Sequence, residues 1–459
     1  MTIHQTKKAF LALGAALTLG GCGSLDIPDL DNPSLDDFRD NPSPSAVYSA
    51  ATGLLMGQRV GLAAQNGYIA ELGVIGREAF IFDGAEPRLV EELLGPTLDP
   101  GGPAFGGNFW AAPYANIRNA NTLLEALEKV PGVSDERKEG IRGFTKTMQA
   151  LDFLVVINTR DTNGAPIDVG RPLGSALPPI EDKQRVLAHI ATLLDEAAGH
   201  LAAAGGQFPF ALSSGFRGDD PNSTTDDFNE PATFLTFNRA VRARVAVYQK
   251  DYGTALTALS QSFLNPSRPL SRGVYHVFST DSGDLDNNLN SRNIFAHPSI
   301  VTDADKKADG SVDARVARKT RVLPPANSGT AADGRLASNL RVTLYPDGNA
   351  NVPIIRNEEL ILLRAEANIG LGNFGPAADD INFIRTTSGE LPARTDLAEA
   401  NILDELLKQK RYSLFMEGGH RWIDLRRYDK LDTLPRELDP SFAPHARFPI
   451  PAQEMDARQ

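Results

Sequence analysis

The sequence RAEANIGLGNFGPA at residues 364–377 aligns without a gap on RARVAVYQKDYGTA at residues 242–255. Both segments begin with an Arg-Ala pair, carry an aromatic residue followed by Gly near their end, and close on Ala. In each, the apolar and small residues follow helical spacing up to a short break and then resume. We therefore predict a helix, a tight turn and a second helix at both places.

Helical hairpins of this kind resemble tetratricopeptide units. One such unit cannot bury its own apolar face, so several units stack on one another. Chance similarity between two helix–turn–helix segments is the alternative explanation. Helical spacing also begins at Ser45 and recurs over residues 114–127, 141–157 and 187–201. The predicted fold is mainly α: a tetratricopeptide-like helical hairpin scaffold with long irregular loop insertions and little β structure.

The composition of the 459-residue chain argues against one class of partner. The formal net charge is −12, whereas nucleic-acid binding needs a basic face, so we expect no nucleic-acid partner. The hydrophobic fraction of 41% suffices for a large core. The frequent Gly (40) and Pro (31) predict long irregular loops beside the helices.

The N-terminus has the pattern of an export signal. Lys7 and Lys8 precede an apolar run over residues 9–19, which is shorter than the roughly 20 residues that span a bilayer. Gly20-Gly21-Cys22 follows, and small residues before a cysteine resemble the bacterial lipobox. We predict a lipoprotein signal peptide over residues 1–21 and attachment of fatty-acyl chains such as palmitate at Cys22, the single cysteine. An ordinary signal peptide with a chance cysteine is the alternative.

The rest of the chain divides by composition into four parts. Residues 22–44 predict a lipidated acidic tether, and residues 45–264 an N-terminal helical part with the first hairpin. Residues 265–353 are rich in Asn, Asp, Ser, Gly and Pro and predict a loop-rich insertion, before a C-terminal helical part over residues 354–459. We expect the substrate-facing surface in this insertion and in the earlier stretch of residues 66–108, because loops on rigid scaffolds often carry binding groups.

The last hundred residues carry three motifs in order. They read ELILLRAEA at residues 359–367, KRYSLFMEGGHRWIDLRR at residues 410–427 and FPIPAQE at residues 448–454. The set, with a W…Y…I…N segment that begins at Trp110, resembles the SusD/RagB family of outer-membrane nutrient-binding lipoproteins. The second motif departs from the family pattern before Glu417, and a Gly pair follows that residue.

The resemblance implies a function. A member of this family is a surface-exposed, lipid-anchored protein of the cell outer membrane that binds a nutrient and delivers it to a TonB-dependent SusC-like transporter. We expect a glycan or oligosaccharide as the ligand, and a peptide is the other possibility. The resemblance implies carbohydrate uptake without an enzymatic step.

Five residues are candidates for ligand binding. Phe80 and Phe82 alternate in an extended segment, which places both rings on one face, and Arg77 and Asp83 flank them with polar groups. Core packing of the two rings is the alternative. Tyr275 is an aromatic candidate in the loop-rich insertion.

Glu417, Arg421 and Asp424 form a further group, for which His420 suggests acid–base chemistry. Their spacing of one helical turn favours a structural ion-pair network instead, since Arg421, Arg426 and Arg427 are near enough to pair with both carboxylates. We expect all three on one amphipathic helix. Its apolar side would be built from Leu406, Leu407, Leu414, Phe415, Trp422 and Leu425.

No motif predicts an enzyme. The seven histidines lack zinc-binding spacing, and the acidic loops at residues 281–286 and 303–309 lack a calcium pattern. We therefore expect no catalytic residue, no metal and no cofactor. A surface-anchored glycoside hydrolase or peptidase is the alternative, because the fold decides which carboxylates meet.

Overall fold

The structure is a computed structural model that describes residues 35–101, 109–172, 174–217 and 228–459. The predicted signal peptide, Cys22 and most of the predicted tether lie outside the described residues. Within them the α-helices are α1 (Leu35–Asp40), α2 (Pro44–Gly57), α3 (Tyr68–Ile75), α4 (Arg88–Glu91), α5 (Ala111–Lys129), α6 (Asp135–Arg160), α7 (Lys183–Ala203), α8 (Pro231–Gln249), α9 (Tyr252–Ser260), α10 (Ser299–Thr302), α11 (Ala314–Lys319), α12 (Asn357–Gly370), α13 (Phe374–Thr387), α14 (Ile402–Ser413), α15 (His420–Arg427) and α16 (Ala452–Asp456). Among these described helices, none has the length and apolar character needed to cross a bilayer.

The strands are short. They are β1 (Ala79–Ile81), β2 (Gly273–His276), β3 (Ile294–Ala296), β4 (Thr320–Val322), β5 (Gly329–Thr330), β6 (Ala337–Ser338), β7 (Leu340–Val342) and β8 (Val352–Arg356). The fold is therefore mainly α with little β structure, as predicted. The helices expected from apolar spacing are present as α2, α5, α6 and α7.

Helices that follow one another in the chain pack against one another and form stacked hairpins. α6 packs against α7, α7 against α8, and α8 against α9, while α12 packs against α13 and α14. Ser134 and Asp182 cap the N-termini of α6 and α7, each by accepting a hydrogen bond from a main-chain N–H three residues on. The tetratricopeptide-like scaffold predicted from the sequence is thus present.

The two aligned segments form the predicted hairpins, α8–α9 and α12–α13. The first turn places Lys250 in the left-handed region at φ 61°, and Asp251 caps α9 by accepting from the main-chain N–H of Thr254. The two hairpins meet at Tyr252 and Gly370. A Cβ on Gly370 would lie 2.1 Å from the Tyr252 ring, so only glycine lets the aromatic residue of the first turn lie on the second hairpin.

The single amphipathic helix expected around Glu417 is broken. α14 ends at Ser413 and α15 begins at His420, and the backbone between them passes through Met416 at φ 57° and Gly419 at φ 74°. Glu417 therefore lies in a turn. The Gly pair that follows Glu417 in the sequence is the signal for the break, because glycine adopts positive φ at low cost. Of the residues expected on the apolar side, four are buried, namely Leu406, Leu414, Phe415 and Trp422, and two are half-buried, namely Leu407 and Leu425.

A four-stranded antiparallel sheet joins the two irregular stretches of the sequence. Its strand order is β1-β3-β7-β4, so β1 from residues 66–108 pairs with β3 from residues 265–353. One face of the sheet packs into the core. The residues on that face are Ala79, Ile81, Ile294, Ala296, Leu340 and Val342.

Two smaller ribbons complete the β structure. β2 pairs with β8, with an irregularity of register between Val274 and Tyr275, and β5 pairs with β6. Gly329 of β5 lies against the rings of Phe82 and Phe295, where a Cβ would come within 2.5 Å of both. The β5–β6 ribbon therefore covers part of the second face of the four-stranded sheet.

Candidate functional site

A closed network of four charges lies between α12, α14 and α15. The Nζ of Lys410 lies 2.8 Å from Glu366 and 2.7 Å from Asp424, while Arg427 pairs with Glu366 and, at 2.7 Å, with Asp424. All four side chains are buried. Burial raises the pKa of Asp424, but the positive charges of Lys410 and Arg427 lower it by more, so the pKa lies below its usual value. Two cations and two carboxylates thus compensate each other.

Glu417 belongs to a second network. Arg356 Nε lies 2.8 Å from one carboxylate oxygen of Glu417, and Lys319 Nζ lies 3.1 Å from the other. Arg356 also pairs with Glu358, whose second oxygen accepts a hydrogen bond from the Ser413 hydroxyl. Both carboxylates are therefore held by the same guanidinium.

Arg421 does not take the partner that its helical spacing from Glu417 suggests. Its Nη1 donates to the main-chain carbonyl of Arg77 at 2.8 Å. The Asp424 partners are Lys410 and Arg427, so α15 is held to α14 by one pair and within itself by another. The structural role of Glu417, Arg421 and Asp424 stays a prediction.

An open cleft of about 500 Å³ lies above the Glu417 network. Lys319, Arg356, Glu358 and Glu417 line it with charge, and Tyr275 and Tyr345 line it with aromatic rings. The other lining residues are Leu270, Ser271, Arg318, Leu344, Asn351, Pro353, Thr387 and Ser388. Its volume falls in the range of small-molecule sites.

Tyr275 is the aromatic residue of this cleft that a ligand can reach. It is half-buried and its hydroxyl donates to the Ser271 carbonyl, whereas Tyr345 is buried and donates to the Met416 carbonyl at 2.9 Å. The sequence analysis predicted Tyr275 as a ligand-binding residue but did not predict the charged residues beneath it. These charged residues come together because β2 pairs with β8 and α11 packs near α14. No local sequence pattern predicts either of these two contacts.

The two carboxylates of the cleft are poorly placed for acid catalysis. Burial raises the pKa of Glu358, but Arg356 and Lys319 lower it more strongly, to about 2. Burial likewise raises the pKa of Glu417, and Arg356 and Lys319 again bring it below its usual value. A glycosidase needs one carboxyl group with a raised pKa as its general acid. Both groups are instead ionised and suited to orienting the cations around a polar ligand.

The other four candidate residues cluster around β1, and two of them are buried. Arg77 is 1% exposed and donates to the carbonyls of Pro435 and Ile75, and Phe80 is 2% exposed. Phe80 and Phe82 do lie on one face of the strand, with ring centroids 5.3 Å apart. Their ligand-binding role stays a prediction, and burial makes direct contact with Arg77 or Phe80 dependent on movement of their surroundings.

Phe82 and Asp83 are more accessible. Both are half-buried and line a cavity of about 70 Å³ together with Pro87, Glu91 and residues of the β5–β6 ribbon. Asp83 accepts a hydrogen bond from the Gln65 side chain at 2.6 Å. The cavity is small, so it fits a substituent of a ligand better than a whole sugar ring.

The sequence model of the SusD family matches residues 345–457, which include Arg356, Glu358 and Glu417 of the second network and the whole second hairpin. The C-terminal part of the chain is therefore similar to the SusD family. No curated protein matches the sequence of this chain.

Solved structures share the fold of this protein over nearly its whole length. A SusD-like carbohydrate binding protein from Bacteroides fragilis superposes with a TM-score of 0.66 at 15% identity, covering 92% of this chain and 99% of its own. Surface glycan-binding protein A from Bacteroides uniformis gives 0.66 at 14% identity, covering 90% and 97%. A laminarin binding SusD-like protein gives 0.60 at 17% identity, covering 91% and 98%. At such identities the likeness shows the fold.

Proposed function

We propose that this protein is a member of the SusD family that binds a glycan or oligosaccharide at the outer surface of the cell and delivers it to a TonB-dependent SusC-like transporter. The observation that carries the proposal is the open cleft of about 500 Å³ with an accessible Tyr275 on its wall and paired charges on its floor. Solved structures of the same fold include proteins described as carbohydrate binding, glycan-binding and laminarin binding.

The chemistry of the cleft suits a sugar. A sugar ring presents a flat apolar face that stacks on an aromatic ring, and its hydroxyl groups both donate and accept hydrogen bonds. Tyr275 supplies the ring. Lys319 donates to Glu417 and to the Ser413 carbonyl and has a third N–H for a ligand hydroxyl group, whereas Arg356 donates all its N–H groups within the protein. Because these cations are held by carboxylates, a neutral ligand can bind without bringing a charge of its own.

The cell-surface position rests on the predicted anchor at Cys22 and on the family. Lipid attachment would hold the protein at the outer membrane, where a transporter of the SusC type could receive the ligand. Copurification of the transporter with an affinity-tagged form of the full-length protein tests the partnership. A wild-type tagged protein that brings down no TonB-dependent channel from outer membranes would contradict it.

The binding proposal is tested with Tyr275→Ala against a panel of oligosaccharides and peptides by isothermal titration calorimetry. Loss of one stacking ring should weaken binding of the preferred sugar about tenfold or more. Tyr275→Phe keeps the ring and should keep most of the affinity. Tyr48→Ala removes a half-buried ring of α2, which does not line the cleft, and should leave affinity unchanged.

Two results would contradict the proposal. If the wild-type protein binds peptides and no saccharide, the ligand class is wrong. If it binds a saccharide with the same affinity after Tyr275→Ala, while circular dichroism shows the fold unchanged, the cleft is the wrong site.

A further inference from the structure

A row of side chains crosses the second face of the four-stranded sheet. Phe80 lies opposite Phe295, Phe295 opposite Arg341, and Arg341 opposite Arg321. Residues directly opposite in an antiparallel pair point to the same face, with Cβ atoms about 5 Å apart. This second face therefore changes from buried aromatic rings at β1 and β3 to a half-buried Arg341 on β7 and an exposed Arg321 on β4.

Arg321 and Arg341 lie opposite each other at the basic end, and Arg292 precedes β3 and is near enough for its charge to act on Arg341. These three residues are here called the arginine cluster. Burial lowers the pKa of Arg341, and the positive charges of Arg321 and Arg292 lower it further. In the described part of the chain, no carboxylate lies within ion-pair distance of any of the three. Neighbouring arginines do have such partners, as in the Arg315–Asp313 and Arg335–Asp333 pairs.

The arrangement costs stability. Like charges that lie opposite each other on a sheet destabilise it. The chain has a net charge of −12, so acidic residues that could pair with these arginines are plentiful in the sequence. Charged residues on an edge strand can serve to prevent pairing with another chain, which explains Arg321 on β4. The same reason does not apply to Arg341, which lies on the interior strand β7, or to Arg292, which precedes β3.

Phe295 holds the central arginine in place. The guanidinium carbon of Arg341 lies 5.8 Å from the centroid of the Phe295 ring, and the centroid of the Phe82 ring lies 5.7 Å from that of Phe295. A guanidinium on an aromatic face keeps its N–H donors free for a second partner. Those donors form a planar fork that matches the two oxygens of a carboxylate or sulfate group.

We propose that the arginine cluster binds the acidic group of a glycan that carries carboxylate or sulfate substituents. The inference rests on the proposed function and names the ligand class more narrowly. A single acidic substituent fits these three arginines, whereas a nucleic acid would meet the repulsion of the acidic molecule around them.

The proposal is tested by affinity electrophoresis of the full-length protein in gels that contain matched polymers. Polygalacturonate is compared with its carboxyl-reduced form, and dextran sulfate with dextran. At least one acidic polymer should retard the protein while its neutral counterpart does not, and added salt should weaken the effect. Arg341→Gln should weaken the retardation about tenfold or more, since a charged hydrogen-bonded contact is lost.

Controls separate a site from general charge effects. Arg185→Gln removes an exposed arginine of α7 that pairs with Glu181 at 2.8 Å and should leave the retardation unchanged. Arg341→Lys keeps the charge but not the fork and should bind more weakly than wild type. Thermal unfolding of Arg341→Gln should occur at or above the wild-type temperature, because a like-charge contact is relieved.

Three outcomes would overturn the inference. In the first, acidic polymers retard the Arg341→Gln and wild-type proteins equally. In the second, double-stranded DNA retards the wild-type protein as strongly as the acidic polymers do. In the third, only neutral polymers retard the protein. The last outcome, with binding that depends on Tyr275, would leave the proposed glycan-binding function standing and remove only the acidic ligand class.

Discussion

Replacing Asp424 by Ala should lower the stability of the fold and leave ligand affinity unchanged. Asp424 is one of four members of the buried network with Glu366, Lys410 and Arg427, in which two positive and two negative charges balance. The substitution removes one negative charge and leaves Lys410 and Arg427 with a single carboxylate between them. The protein interior then holds an excess positive charge that water does not reach.

The size of the effect follows from burial. The four side chains are at most 4% exposed. Removing one partner from a buried pair costs about 3–5 kcal/mol, because the remaining charge loses its compensation. The unfolding entropy of a chain of this length, at about 2.1 cal/mol/K per residue, converts that loss into a melting temperature lower by roughly 3–5 °C.

A surface pair on the same part of the fold provides the control. Asp404 pairs with Lys430 at 2.8 Å, but the two side chains are 66% and 32% exposed. Asp404→Ala should cost about 0–1 kcal/mol, which shifts melting by roughly 1 °C or less. Asp424→Asn, which keeps the shape and loses the charge, should fall between the two Ala variants.

Far-UV circular dichroism measures melting, and calorimetry at a temperature where each variant is folded measures ligand affinity. The reasoning is refuted if Asp424→Ala has the same melting temperature as the wild-type protein. It is also refuted if Asp424→Ala remains folded and no longer binds ligand, which would place the network in the binding site.

Four further predictions can be checked separately. Burial raises the pKa of Glu78 to about 7, although the charge of Arg421 opposes the rise, so the stability conferred by the protonated form is lost as pH rises through that value. Glu78→Gln should therefore stabilise the protein by up to roughly 3 kcal/mol at about pH 8 and by much less at about pH 5. Urea unfolding at both pH values measures the difference. Gly370→Ala should cost about 1–3 kcal/mol in urea unfolding, since its Cβ meets the Tyr252 ring, and Tyr252→Ala in the same chain should recover part of the loss. Cys22→Ser should release the protein from the membrane fraction, and a variant that still sediments with outer membranes would contradict the anchor. The purified protein should show no turnover of glycans or peptides in product chromatography, and a turnover abolished by Glu358→Gln would reopen the hydrolase alternative.

The sequence predicted what depends on neighbours in the chain. The hairpins at residues 242–255 and 364–377 follow from helical spacing and from the aromatic-Gly turn. The extended conformation around Phe80 and Phe82 follows from their alternation. These features need only the preferences of residues a few positions apart.

What the sequence left unpredicted depends on distant partners or on a single turn. Arg321 and Arg341 are 20 positions apart and meet through strand register, which a one-residue slip would change. Lys319, Arg356 and Glu417 come together from three separate segments. The break at residues 414–419 was signalled only by the Gly pair, and the helical spacing of the residues on either side concealed it.

The pairing of β1 with β3 has a consequence for the order in which the chain folds. Residues 79–81 must wait for residues 294–296, and the intervening segment contains a large share of the helical hairpins. Contacts so remote in sequence form slowly, while helical hairpins form from local contacts. A chain that is synthesised from its N-terminus therefore carries an unpaired apolar strand, with Phe80 and Phe82 uncovered, until more than half of its residues have been synthesised. During that interval the strand is an aggregation hazard, so a chaperone that shields it should raise the yield of folded protein more than one that acts on the C-terminal hairpin.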